Sequence, residues 1–294
     1  MYLLSYFRTH AEALHYALSD DGLTWHALNE NRPVLVGEVG SKTLRDPYVF
    51  QALDGGYHLL ATDGWSSTAI VHATSNDLLR WGPQKLVPVM NSVAHTRNCW
   101  APECFYDVEA AVYRLIWSST VVPANQDDLV GHRIWSSVTR DFRHFSPPQL
   151  FFDPGYNVID ATIRRFDDRY ILAFKDERGV NQHGTAWKAI RVAESREASG
   201  PWSDVSDLIT PALTEGPSLY RNGKVLLMLY DHFLDGHFGI AQSEDGRTWR
   251  TCEDPVTFPE GVRHAAVLEI DDNLGQQLPS FWNKRDSGAF RSHD

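Results

Sequence analysis

The chain has 294 residues, 43% of them hydrophobic, enough to bury a large core as one big all-β domain or two smaller ones. A formal net charge of -11 at pH 7 argues against nucleic acid and anionic membrane surfaces as partners, since most of the surface repels them, and favours a neutral ligand. The aromatic fraction of 12% suits strands and equally suits the packing of a sugar's apolar face on a ring.

In chain order, the N-terminal MYLLSYFRTH has neither the basic start nor the cleavage pattern of an export signal, and its LLSYFR portion reads as a strand. HYALSDDGLTW follows, a strand, a polar turn and an aromatic residue, ending at Trp25. The same unit returns as IVHATSNDLLRW ending at Trp81, IWSSVTRDFRHF at Phe145, IRVAESREASGPW at Trp202 and GIAQSEDGRTW at Trp249. The steps between closing aromatics, about 56, 64, 57 and 47 residues, match a four-stranded propeller blade plus its loops. A second series lies between these copies: RDPYVFQALDGGYHLLAT from Arg45, APECFYDVEAAVYRLIWSS from Ala101, DATIRRFDDRYILAFKD from Asp160, EGPSLYRNGKVLLMLYD from Glu215 and RHAAVLEI from Arg263. The first four fold back at DGG, DVEAA, DD or NG, which is hairpin chemistry. The last has no hairpin partner, and the N-terminal strands supply its missing neighbours, closing the ring without an open edge. The expected fold is a single all-β, five-bladed β-propeller over residues 1–270, with no convincing helix. A polar tail, peripheral or frayed, is expected over 271–294.

No stretch approaches the roughly 20 apolar residues of a membrane span. Cys99, Cys104 and Cys252 are odd in number and lack metal-type spacing, so they read as packing thiols in a reducing, cytoplasmic setting.

In a propeller the inner strands open near the central axis, so residues about 50 positions apart converge there. The openers are Asp46, Glu103, Asp160, Glu215 and His264. Each acid alone also fits a turn, but four at the openings of one periodic array point to a carboxyl cluster with at least one raised pKa, as glycoside hydrolysis needs. Trp65 and Trp100 are candidate sugar-binding residues. Lys175 and Arg263 either bind sugar hydroxyls or neutralise the acids. His264 either holds a central water or structural calcium or is a satisfied structural histidine. Trp25, Trp81, Trp202 and Trp249 read as inter-blade core.

These residues resemble glycoside hydrolase family 43. The carriers are SDDGLTW, RDPYVF with Asp46, NCWAPECFYD with Trp100 and Glu103, VIDATI with Asp160, FKDE with Lys175, TEGPSLY with Glu215 and GVRHAAV with His264. The resemblance implies a five-bladed propeller in which Asp46 is the general base, Glu215 the general acid and Asp160 the residue that orients the acid and raises its pKa. It further implies an inverting, exo-acting enzyme on a short oligosaccharide or glycoside, with no required cofactor. Ala265 and Ala266 stand after His264 where many relatives have glycine, and no accessory carbohydrate-binding module is expected. An α-L-arabinofuranosidase is the first expectation, a β-xylosidase or β-D-galactofuranosidase the second. A non-catalytic glycan-binding propeller or a protein scaffold has less use for a buried carboxyl cluster, which is costly to hold.

Overall fold

The computed structural model describes residues 1–123, 131–179 and 187–287, with side chains as far as 282. Five antiparallel sheets form the five blades of a propeller. The first contains β4 (Arg45–Gln51), β5 (Tyr57–Thr62), β6 (Ile70–Ser75) and β7 (Lys85–Val87). The second contains β8 (Trp100–Asp107), β9 (Val112–Thr120), β10 (His132–Thr139) and β11 (Gln149–Phe152). The third has three strands, β12 (Val158–Phe166), β13 (Arg169–Asp176) and β14 (Ala189–Ser195). In place of its outer strand, Ser203, Ser206 and Ile209 donate single backbone hydrogen bonds to β14. The fourth contains β15 (Glu215–Asn222), β16 (Val225–His232), β17 (His237–Ser243) and β18 (Arg250–Thr251). The fifth joins the two ends of the chain: β19 (Val262–Glu269) pairs with β1 (Tyr2–Arg8), followed by β2 (Ala11–Ser19) and β3 (His26–Ala27). The ring therefore closes as the strand pattern requires.

The near-continuous apolar runs are explained by burial on both faces of each second strand. Leu115 and Trp117 face the first blade, whereas Ile116 between them faces the third, the period-two alternation of a strand with core on either side. Five apolar clusters fill the five gaps between adjacent blades, and each closing aromatic sits in or against a different one: Trp81, Trp25, Phe145, Trp202 and Trp249 in turn. Cys99 and Cys104 are free thiols buried in the cluster between blades one and two.

One correction concerns helix. The chain after Asp271 carries no convincing helical pattern, yet Asp272–Ser287 is an α-helix, α1. Leu278 and Trp282 are buried in the cluster between blades five and one, and Phe281 packs against it. Polar residues around those few apolar ones, with Pro279 among them, diluted the helical signal. Residues 288–294, including Arg291, lie outside the described residues, as do the side chains of Lys284 and Arg285.

A buried histidine pair lies against the gap between blades one and two. His58 Nδ1 is 2.9 Å from His72 Nε2, the rings stack at 5.1 Å, and Phe142 packs against both. Burial depresses His58 to about 4 and His72 to about 3, so the pair folds neutral. A histidine whose pKa falls on folding loses its stabilising contribution as pH drops from the unfolded value of about 6.5 through the folded one. The stability advantage of wild type over His72→Gln is accordingly expected to narrow between pH 6.5 and 4, measured by urea midpoints.

Candidate active site

The same local irregularity marks all five inner strands. In β4, Arg45 pairs with Thr62 and Tyr48 with Leu60, so two inner-strand residues oppose one. The shift recurs at Trp100/Glu103, Ile159/Thr162 and Glu215/Ser218, and in the fifth blade between Arg263 and Ala266. Each is a β-bulge whose first extra residue has positive φ: Asp46 at 47°, Ala101 at 47°, Asp160 at 53°, Gly216 at 56° and His264 at 30°. Left-handed backbone is costly for non-glycine residues, and its repetition around one axis marks a shared site. At Gly216 space is tight as well, since a Cβ would stand 3.1 Å from the His264 ring.

The bulge corrects the alignment of the strand openers. The equivalent positions are Asp46, Ala101, Asp160, Gly216 and His264, so Glu215 stands one residue earlier and Glu103 two residues later than the array position. The extra residue in each strand shifts every later side chain, and the alternating motifs R-D-P, W-A-P, I-D-A, E-G-P and R-H-A carry this register in the sequence.

Asp46, Asp160 and His264 nonetheless meet. His264 Nδ1 is 3.4 Å from Asp46 and 4.0 Å from Asp160. The Thr62 hydroxyl donates to Asp46 Oδ2 at 2.7 Å while its oxygen accepts the Ala101 N–H at 2.8 Å. The Asp160 N–H donates to Ser118 Oγ at 2.9 Å, and its carboxylate accepts the Gly216 N–H at 3.2 Å. The His264 N–H donates to Asp231 Oδ2 at 3.3 Å. Each bulge is thus tied to the blade before it, the first by Ser5 Oγ of blade five, which donates to Pro47 O at 2.8 Å. Several of these partners form a second array at the ends of the second strands: Thr62, Ser118, Lys175 and Asp231 stand opposite Arg45, Trp100, Ile159 and Glu215. Sequence reading found only Lys175 of these.

Glu215 sits between two cations. Lys175 Nζ donates to its Oε2 at 2.8 Å, and Arg263 Nη2 to its Oε1 at 2.9 Å. Arg263 Nε also donates to the fully buried Asp231 at 2.7 Å. Lys175 and Arg263 therefore neutralise acids. Trp65, 65% exposed, lies in the loop leaving β5. Arg45 covers one face of its ring at 4.3 Å, and Trp100 meets it edge-on at 5.7 Å and donates Nε1 to its carbonyl at 3.0 Å. Arg45 is itself paired with Glu12. No group of three or more His, Cys, Asp or Glu among the described residues is arranged to hold a metal ion, and His264 faces the carboxylates of Asp46 and Asp160.

A family profile described as a probable glycosyl hydrolase domain, related to glycoside hydrolase family 43, matches residues 1–273. The chain belongs to this family. An α-L-arabinofuranosidase of Bifidobacterium longum subsp. longum is 27% identical over 287 aligned residues, covering 81% of this chain. The match spans only 27% of that relative's own length. The fold is shared with solved structures of low identity. An α-L-arabinofuranosidase from Lactobacillus brevis superposes with a TM-score of 0.58 at 15% identity, covering 76% of this chain and 75% of its own. An exo-1,5-α-L-arabinanase from a bovine ruminal metagenomic library gives 0.57 at 14% identity, covering 80% and 87%.

At Glu215 the electrostatics depart from expectation. Burial raises the Glu215 carboxyl, but Lys175, His264 and Arg263 outweigh it and hold Glu215 below the ordinary carboxylate range. The nearby Asp160 does not reverse this, because two cations in direct contact exceed one like charge further off. Asp160 itself is pushed up to about 6, chiefly by burial, with Glu215 and Asp46 adding to it and His264 opposing. His264 is raised, since its four acidic neighbours, Asp46 foremost, overcome burial.

Glu103 is buried and rises to about 8, through burial above all, while a hydrogen bond with Thr162 opposes the rise. It folds as a neutral acid, so its contribution is full below about pH 4.3 and lost as pH rises through 8. Glu103→Gln keeps the shape and removes the titration. Between pH 5 and pH 9 the variant is expected to gain about 4 kcal/mol of stability relative to wild type. Thermal midpoints at both pH values test this.

Proposed function

We propose that this glycoside hydrolase is an exo-acting, inverting α-L-arabinofuranosidase on a short oligosaccharide or glycoside. The observation that carries the chemistry is the convergence of Asp46, Asp160 and His264, beside the clamped Glu215, from bulges of separate blades. In this reading Asp46 takes a proton from water as its oxygen attacks the anomeric carbon, and Glu215 gives a proton to the leaving glycosidic oxygen as that bond breaks. Asp160 orients the pair through the Gly216 N–H next to Glu215. Trp65 and Trp100 offer ring surface to the sugar. Arabinofuranose is favoured over xylose and galactofuranose because the curated relative that matches most of this chain bears that activity in its name. A panel of p-nitrophenyl α-L-arabinofuranoside, β-D-xylopyranoside, β-D-galactofuranoside and β-D-galactopyranoside tests the choice. The arabinofuranoside should be cleaved at least about tenfold faster than the others, about 1.4 kcal/mol of transition-state preference. No turnover of any of the four would favour a glycan-binding propeller.

A further inference from the structure

Beside Glu215 a chain of alternating charges runs away from the axis. Lys175, only 3% exposed, donates to Glu215 Oε2 at 2.8 Å and, from the same Nζ, to Glu177 Oε1 at 2.7 Å. Glu177 Oε2 in turn accepts from Lys188 at 2.8 Å. The Lys175 ammonium also lies 4.6 Å from the centre of the Phe233 ring. Glu177 is placed by the backbone, its N–H bonded to Asn157 O at 3.0 Å just past the end of β13. On the other side Arg263 bridges Glu215 and Asp231 through different nitrogens. The charged groups around Glu215 are thus Lys175 from β13, Arg263 and His264 from β19, Asp160 from β12 and Asp231 from β16. Those around Lys175 are Glu215, Glu177 and Asp160.

A general acid must carry a proton, and a carboxylate with a cation on each oxygen resists one. A buried ammonium cannot leave one carboxylate unless another receives it, because an unpaired buried charge is strongly unfavourable. Lys175 has that second partner on the same nitrogen, so any movement toward Glu177 is movement away from Glu215.

We propose that Glu177 is a positioning residue of the active site, which draws the Lys175 ammonium off Glu215 and so lets Glu215 take up the proton it delivers to the leaving group. This rests on the reading of Glu215 as the general acid. The proton comes from solvent, and no other group is consumed. Lys188 moderates the pull of Glu177 by neutralising part of its charge.

The test is the pH dependence of kcat with the phenyl and 2,4-dinitrophenyl glycosides of the preferred sugar. In Glu177→Gln, Lys175 belongs to Glu215 alone, and the alkaline limb for the phenyl glycoside should move down by about one pH unit. Above the limb that is about a tenfold loss, absent with the dinitrophenyl glycoside, which departs without a proton. Lys188→Met, at a half-exposed position, should move the limb up, and it gives a reading even if Glu177→Gln folds poorly. An unmoved limb in Glu177→Gln, or a downward move in Lys188→Met, overturns the proposal while leaving Glu215 as the acid. Equal losses on both leaving groups in Glu215→Gln would instead remove Glu215 from that role, and the proposal with it.

Discussion

Asp46→Asn is expected to lower turnover of every glycoside by roughly 10³-fold, within the range for loss of a general base. The substitution suits the site in all respects but charge. Asparagine tolerates the left-handed backbone that Asp46 holds at φ 47°, and its amide oxygen can accept from the Thr62 hydroxyl as Asp46 does at 2.7 Å. The bulge, and with it the tie from Thr62 to Ala101, should survive. What disappears is the ability to remove a proton from water. Because Asp46 acts on the attacking water and not on the leaving oxygen, natural and activated substrates should lose alike. Initial rates on both, with circular dichroism to verify the fold, make the test. Activity above a few per cent of wild type would assign the base elsewhere.

Glu215→Gln is expected to lose about 10²- to 10⁴-fold on glycosides with poor leaving groups and little on dinitrophenyl glycosides. Glutamine keeps an oxygen for one cation but turns an amide toward the other, so the clamp of Lys175 and Arg263 is half disturbed. A small rise in KM for both substrates is expected from that disturbance. It differs from the loss of acid catalysis, which falls on kcat and scales with the basicity of the leaving oxygen. A plot of log kcat against leaving-group pKa should therefore be steeper for the variant than for wild type. Parallel lines would mean that Glu215 supports the site without donating a proton.

The blade count, the strand order and the closure of the ring by β1 and β19 were legible in the sequence, because strand periodicity and the recurring turn units are local signals. Most of the closing aromatics were legible for the same reason: Trp25, Trp81 and Trp249 follow a turn of the Ser-x-Asp kind and Phe145 a Thr-x-Asp turn, with Asp21, Asp77, Asp245 and Asp141 each accepting two backbone N–H groups. The exact register of the acids was not. One inserted residue per inner strand is invisible to a pattern of apolar alternation, so Glu103 and Glu215 seemed to share the position of Asp46. Thr62, Asp231 and Glu177 were missed because their roles depend on neighbours in other strands or blades. Aligning the ends of the second strands, LATD, IWSS, AFKD and LYDH, could have shown that a polar residue recurs at the third position. The ionised state of Glu215 was also beyond reach, since it follows from Lys175 and Arg263 reaching opposite oxygens of one carboxylate.

The proposed reaction is a single displacement between carboxyl groups held by blades one and four. Those blades are not neighbours in a ring of five, so a base on one and an acid on the other favour the separation of roughly 6.5 to 9.5 Å that leaves room for water, over the roughly 5 Å of a nucleophile in direct attack. Proton NMR of the anomeric signal in the first minutes of hydrolysis tests this directly, before mutarotation mixes the forms. From an α-L-arabinofuranoside the β-anomer should appear first. If the α-anomer appears first, or if methanol is taken up with retention, one of the acids is a nucleophile and the single-displacement account is wrong.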